Sequence, residues 1–447
     1  MIYKFASFAK RTAKEDIVKV FSFNAISTLV RMLTGLISVK VVASIIGPCG
    51  IALLGQLNNF STILLGVANG GINSGITKYV AEYKEDESAI KKILSNALQI
   101  TLFFTFIVSL GLIILHNQLS RLVMLSDEYG YVFLIFGFTI FLYTLNTLLI
   151  SILNGYKEFK RYVIVNISGT IVGLLFTICF VFSMGLKGAL ISAVSYQSVV
   201  FFITFWICRK APWLSVIYYR ERLDRKMLRR FLNYSAMTLV SLSVVPVSQM
   251  LLRGYVISEI SMTEAGWWEA MNRISNVYLM VITTSFSIYY LPRLSEIKEI
   301  SELRYEIFKC YKVIIPILLS GLTLVYLLRH FVVMILFSPD FYPMESLFIW
   351  QLLGDFFKIS SWLLAFLMVA KSMTKTFIAT EVVFSGLFVV LGYLFMNLNG
   401  VVGITQAYFV NYVIYTVCMV VIFRKIIVYR VLSVSYTHLR AHETELH

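Results

Sequence analysis

Eight ionisable side chains sit inside long apolar runs of this sequence: Arg31, Lys40, Arg253, Glu269, Arg273, Asp355, Lys358 and Glu381. A charge near the middle of a hydrocarbon layer costs roughly 2.5–3.5 kcal/mol on insertion scales, so such residues face a partner or a water-filled cavity. Five of the eight are cations and three are anions. That surplus suits an anionic ligand, because attraction between opposite charges grows as the local dielectric falls. Glu269 and Arg273 stand four apart, and Asp355 and Lys358 three apart, so each pair can neutralise itself on one helix face. Lys40 and Arg253 lie toward the ends of their runs, where a long side chain can reach the interface. Arg31 is about ten residues, or roughly 15 Å, into its run. Of the eight it is the hardest to explain as a structural charge. Glu269, Asp355 and Glu381, with Lys358 beside them, are also candidates for binding a proton or a sodium ion.

Neutral polar residues form a second group. Gln56, Asn58, Asn59, Asn69, Asn73 and Ser74 share one run with Gly66, Gly70, Gly71 and Gly75, and Asn272 precedes Arg273. Amides facing lipid would go unpaired, so Asn58, Asn59, Asn73 and Asn272 are expected to face an interior cavity. The glycines permit close helix packing or a bend, and Pro246 and Pro316 are candidate kinks. Catalytic patterns are missing: there is no P-loop, no HExxH and no nucleophile elbow. His116 and His330 fall at the ends of apolar runs, and Glu82, Glu85, Asp86 and Glu87 read as a solvated turn. The five cysteines (Cys49, Cys179, Cys208, Cys310 and Cys418) show no CxxC spacing and read as buried thiols, with no metal site or disulfide framework. No cofactor is expected beyond a coupling ion.

The elements that must carry these residues follow from composition. Of 447 residues, 58% are hydrophobic and 14% charged, against roughly 25% charged in an average soluble domain. This is an all-α polytopic membrane protein. Crossing the hydrocarbon core takes about 20 apolar residues per helix, and twelve runs qualify. Six lie at 21–46, 51–80, 93–115, 131–154, 162–184 and 189–207. The other six lie at 231–257, 266–291, 311–328, 347–370, 377–396 and 402–423. If the N-terminus is cytoplasmic, almost all Lys and Arg outside the runs fall on one side, as the positive-inside rule requires, and both termini are cytoplasmic. The net charge of +15 therefore belongs to topology, and nucleic acid is excluded as a partner. Residues 1–20 read as a basic cytoplasmic segment, 21–208 as a six-helix lobe, 209–230 as a basic cytoplasmic linker and 231–430 as a second six-helix lobe. A faint repeat relates the lobes in parallel: Asn58 to Phe60 aligns with Arg273 to Ser275, and Lys78 with Arg293, both at an offset of 215. Parallel repeats are a transporter plan with the substrate site between the halves. Residues 434–447 begin with VSYTHLRAHET, which reads as a translated sequencing-library adapter and is set aside, with three of the five histidines.

Several stretches resemble one family. They are GPCGIALLGQ at 47–56, GGINSGITKYVAEY at 70–83, SFSIYYLPRLS at 285–295, WQLLGDFFK at 350–358, and VAK at 369–371 with Glu381. Their order and spacing are similar to those of Wzx-type flippases, the polysaccharide-transporter branch of the MOP superfamily, and most of all to its O-antigen and enterobacterial-common-antigen (lipid III) translocases. The resemblance implies a MATE-like fold in the bacterial inner membrane, two lobes enclosing a cavity open alternately to each side, and undecaprenyl pyrophosphate bearing one oligosaccharide repeat as substrate. On that basis Arg31, Lys40, Arg253 and Arg273 would hold the pyrophosphate, and Asn58, Asn59, Asn73 and Asn272 would meet sugars. Membrane lipids, a polymerase and a chain-length regulator of the same pathway are candidate partners. Two other readings stay open: a cation-coupled multidrug antiporter of the same superfamily, which should carry an acidic interior, and a membrane glycosyltransferase or polymerase, which should carry a long extramembrane loop or clustered aspartates.

Overall fold

Hydropathy sets the rods and glycines set their ends. The computed structural model describes residues 2–427; the side chains of 1–25, 226, 232–234, 236, 237 and 288 lie outside the described residues, as does the adapter-like tail. The expectation of a basic cytoplasmic segment at 1–20 concerns side chains outside the described residues. All described regular structure is helical. In chain order the α-helices are α1 (Ile2–Ala68), α2 (Asn73–Tyr83), α3 (Glu87–Ile114), α4 (His116–Leu119), α5 (Gly130–Gly155), α6 (Phe159–Cys208), α7 (Arg225–Tyr255) and α8 (Met262–Ser285). They continue as α9 (Leu291–Glu296), α10 (Ile300–Leu327), α11 (Arg329–Leu336), α12 (Phe348–Ala370), α13 (Thr374–Asn399), α14 (Val401–Ile422) and α15 (Arg424–Ile427).

Eight helical stretches among the described residues are long and apolar enough to cross a membrane. Three of them, of 43, 50 and 49 residues, are too long for a single crossing of about 20 residues. Each breaks at a glycine of positive φ: Gly47 (63°), Gly185 (57°) and Gly400 (57°). Counted as two limbs each, and joined by α8 with its internal charges, they yield the twelve rods expected. The outer faces show what solvates them. The window within Ile300–Leu327 has a mean hydropathy of 1.9 and is only 11% buried. An apolar helix left that bare needs lipid around it.

Gly185 and Gly400 are 215 positions apart and make the same hairpin. A Cβ on Gly188 would fall 1.9 Å from the Phe180 carbonyl oxygen, and one on Gly403 would fall 2.1 Å from that of Phe395. These pairs are also 215 apart, so the repeat faint in the sequence recurs as backbone geometry. Overpacking against fixed atoms costs about 1–3 kcal/mol. We therefore expect Gly188→Ala and Gly403→Ala each to lower the thermal midpoint of the detergent-solubilised protein, whereas Gly321→Ala, whose Cβ would meet open space, should not.

Several boundaries differ from expectation: α3 starts six and α10 eleven residues early, at Glu87 and Ile300, and two further differences shape the site. The run at 51–80 is interrupted: α1 stops at Ala68 and α2 starts at Asn73, because Gly70 (63°) and Gly71 (65°) take positive φ. A Cβ on Gly71 would sit 3.0 Å from Ser235 Cα, so this break lets α7 approach closely. Asn69 ties it down, donating to the Leu65 carbonyl (2.8 Å) and accepting from Thr147 Oγ1 (2.8 Å). Second, α7 starts at Arg225, six residues early, which shortens the connection to 209–224. That connection is strapped to the first lobe. Its Glu221 carbonyl accepts from Ser95 Oγ (2.6 Å) and Gln99 Nε2 (2.8 Å), Asp224 N donates to Asn96 Oδ1 (2.8 Å), and Trp213 Nε1 donates to Glu158 (2.9 Å). The turn at 82–87 works as a helix start: Asp86 caps α3 by accepting from Ser88 N and Ala89 N. The Ala89 and then the Ser88 hydrogen bonds hold its carboxyl below its ordinary value. Pro246 and Pro316 lie inside α7 and α10, which run through them as continuous helices.

The lobes meet where α1 packs on α7 and α8. Gly266 of α8 lies against Pro48: a Cβ there would be 2.0 Å from the Pro48 carbonyl oxygen. This contact brings the start of α8 against the break in α1.

Candidate functional site

The charged residues on α1, α7 and α8 divide between a buried network and a cavity. Arg253 on α7 is fully buried; its Nη2 donates to Glu269 Oε2 at 2.6 Å and its Nη1 to Gln56 Oε1 at 3.3 Å. Its guanidinium also stands 5.3 Å from the Trp268 ring centre. Glu269 bridges onward, its Oε1 accepting from Arg273 Nε at 3.0 Å, so the expected spacing of four does pair these two residues. Gln56 Nε2 donates to the Met250 carbonyl at 3.2 Å and links the lobes. Gly55 makes room: a Cβ there would lie 2.6 Å from Glu269 Cδ and 2.9 Å from Arg253 Cζ.

Arg273 also faces a first cavity of about 440 Å³, which it lines together with Arg31 and Asn58. Most of the remaining wall comes from α6, with Asn166, Thr170, Ser192 and Gln197 supplying polar groups and Gly169 and Gly173 leaving space. The lining contains two arginines and no carboxylate. Arg31 forms no ion pair among the described residues, and Arg273 shares Glu269 with Arg253. The structure thus brings Arg31, Arg273 and Asn58 to one cavity, whose lining includes neither Lys40 nor Arg253, although Arg253 is linked to Arg273 through Glu269. Lys40 Nζ points to the Phe337 carbonyl at 3.5 Å, and Arg253 is enclosed by its own network. Asn59, Asn73 and Asn272 each keep a buried amide atom without a hydrogen-bond partner among the described residues.

A second cavity, of about 260 Å³, lies within the other lobe and is lined by Lys358 and Glu381. Asp355 and Lys358 do not form the pair their spacing suggested. Asp355, fully buried, accepts from Ser275 Oγ (2.6 Å), Tyr408 OH (2.7 Å) and Tyr278 OH. Lys358 Nζ turns away to the rings of Trp362 (5.1 Å), Tyr412 (5.4 Å) and Tyr408 (5.5 Å). Three neutral donors from α8 and α14 satisfy the carboxylate more locally than a lysine that would lose its aromatic seat.

The two cavities are copies. Each of the nine α13 and α14 residues lining the second has a counterpart 215 positions earlier lining the first. What differs is bulk. Gly169, Gly173, Ala193, Gln197 and Val200 in the first become Phe384, Phe388, Tyr408, Tyr412 and Tyr415 in the second, and Asn166 becomes Glu381. Sequence reasoning missed the α6 residues, although Asn166, Thr170, Gly173 and Thr177 recur at helical spacing and form one polar or small face. It also missed Trp362 and the tyrosines, whose roles depend on α14 coming beside α12.

These features define a class, and known structures agree. The chain superimposes on the lipid II flippase MurJ in its inward closed conformation with a TM-score of 0.73, at 18% identity, over 91% of this chain and 90% of that one. It superimposes on an inward-facing MATE family multidrug transporter of the MOP superfamily with a TM-score of 0.71, at 14% identity, over 89% of this chain and 98% of that one. It is therefore a multi-pass helical membrane protein with the fold of those transporters. The pattern of the polysaccharide biosynthesis protein family matches residues 17–298, and the chain belongs to that family. It is also similar to the lipid III flippase of Escherichia coli K12: 27% identical over 400 residues, covering 90% of this chain and 96% of that protein.

Proposed function

We propose that this protein is a flippase that carries a polyprenyl-pyrophosphate-linked oligosaccharide repeat, of O-antigen or enterobacterial-common-antigen type, from the cytoplasmic to the outer leaflet of a bacterial inner membrane. One observation carries the reading: the first cavity holds Arg31 and Arg273 with no carboxylate in its wall. A pyrophosphate diester is a dianion, and a guanidinium fork matches phosphate oxygens two at a time. A transporter of cationic drugs would need the opposite sign at the same place. Likeness to a lipid III flippase along nearly the whole chain supports the same substrate class. In this reading both termini lie in the cytoplasm, and the prenyl chain stays in lipid while the lobes rock about the connection at 209–224.

Deleting the gene in its own host tests this. The lipid-linked repeat should then accumulate in the cytoplasmic leaflet, out of reach of an impermeant periodate treatment of spheroplasts, and re-expression should restore its oxidation. Drug hypersensitivity with normal exposure of the repeat would instead identify an antiporter. Shortened glycans on a normally exposed lipid would identify a polymerase.

A further inference from the structure

The second cavity displays hydrogen-bonding groups that the protein itself leaves unanswered. Asn411 is 5% exposed, lines the cavity, and its Oδ1 has no partner among the described residues. Lys358 Nζ stands over the faces of three rings and forms no ion pair within 4.0 Å among the described residues. Glu381 lines the same wall from α13. One cavity of about 260 Å³ therefore offers a strong donor, a carboxylate, an amide oxygen and aromatic walls.

Building on the flippase reading, we infer that this cavity is a glycan subsite that takes one pyranose of the oligosaccharide. A pyranose matches the set. Its C–H faces lie against rings such as Trp362 and Tyr412, and its rim of hydroxyls can donate to Glu381 and Asn411 while accepting from Lys358. A prenyl chain would cover the rings but leave the three polar groups desolvated without partners. A bare cation would use Glu381 and would be opposed by Lys358. A phosphate would find a single cation and a facing carboxylate. The comparison with the first cavity points the same way. At equivalent positions α6 keeps small residues where α13 and α14 carry rings, and the two arginines of the first cavity come from α1 and α8. The two cavities thus divide the substrate, one holding the pyrophosphate and the other a sugar.

Two measurements on the full chain test this. In the first, protein in lipid nanodiscs is titrated with the methyl glycosides of a hexose, an N-acetylhexosamine and a hexuronic acid while tryptophan emission is followed. At least one glycoside should give a saturable change that disappears in Trp362→Phe. Its dissociation constant should weaken about tenfold in Tyr412→Ala and in the volume-conserving Asn411→Leu, equivalent to about 1.4 kcal/mol. No saturable change with any of the three overturns the inference. In the second, liposomes are loaded with bare polyprenyl pyrophosphate or with the glycan-bearing lipid. Asn411→Leu should slow only the glycan-bearing lipid. Equal slowing of both lipids would identify a coupling or folding role and overturn the inference. Should the wild type move neither lipid yet still bind glycoside, the flippase reading falls and the glycan site stands.

Discussion

Replacing Glu269 by Ala should destabilise this protein by more than either Gly188→Ala or Gly403→Ala does. The carboxylate is shared between Arg253, at 2.6 Å, and Arg273, at 3.0 Å. The two arginines are not equally placed to survive its loss. Arg273 lines a cavity and can draw on water there. Arg253 is 1% exposed at its side chain and keeps only Gln56 and the Trp268 face. Removing one partner of a buried ion pair costs about 3–5 kcal/mol, because a desolvated charge is left behind. Replacing both partners by apolar residues of similar volume is often neutral. We therefore expect Glu269→Ala to produce a large fall in the detergent thermal midpoint, and Arg253→Met with Glu269→Leu to regain most of it. A small effect of Glu269→Ala would mean that Arg253 reaches water by a route this packing does not show.

Arg31 and Arg273 should show the opposite balance, with little change in stability and a large loss of binding. Neither is enclosed as Arg253 is, and a charged hydrogen bond contributes about 1.5–3 kcal/mol. Losing both should weaken binding of a short-prenyl pyrophosphate glycan in detergent by on the order of 100-fold, at about 1.4 kcal/mol per factor of ten. Changing both to Lys keeps the charge and loses the fork, so it should recover only part of the affinity. Calorimetry of the three proteins against the same ligand reads this directly. An unchanged affinity in the double Ala variant would remove the pyrophosphate from this cavity.

Much of the architecture was legible because it follows from apolar length and from glycine. Twelve runs predicted twelve rods, and the three pairs that merge into longer helices do so across Gly47, Gly185 and Gly400. The break at 69–72 was not legible, since Gly70 and Gly71 could equally have served close packing within a straight helix. The site was partly legible. The spacing of Glu269 and Arg273 pairs them because both side chains share one helix face. Asp355 and Lys358 share the same kind of spacing and do not pair, because Tyr408, Trp362 and Tyr412 compete for them. Tyr408 and Tyr412 sit on α14, beyond the whole of α13 in sequence, so the competition is set by tertiary packing that local spacing does not encode. The offset of 215 held more information than two aligned motifs suggested. Extended from Lys78 and Arg293 to Asn166 and Glu381, it would have located both cavities in advance.

The most direct test of the arginine-lined cavity as the carrier of a pyrophosphate is transbilayer movement in liposomes. Purified protein lacking 434–447 is reconstituted with a polyprenyl-pyrophosphate oligosaccharide, and the fraction open to an impermeant glycan-modifying reagent is followed over time. All of the lipid should become accessible with wild-type protein, and only the outer half when Arg31 and Arg273 are both Ala. Half accessibility with folded wild-type protein, or full accessibility with the double variant, would contradict that role.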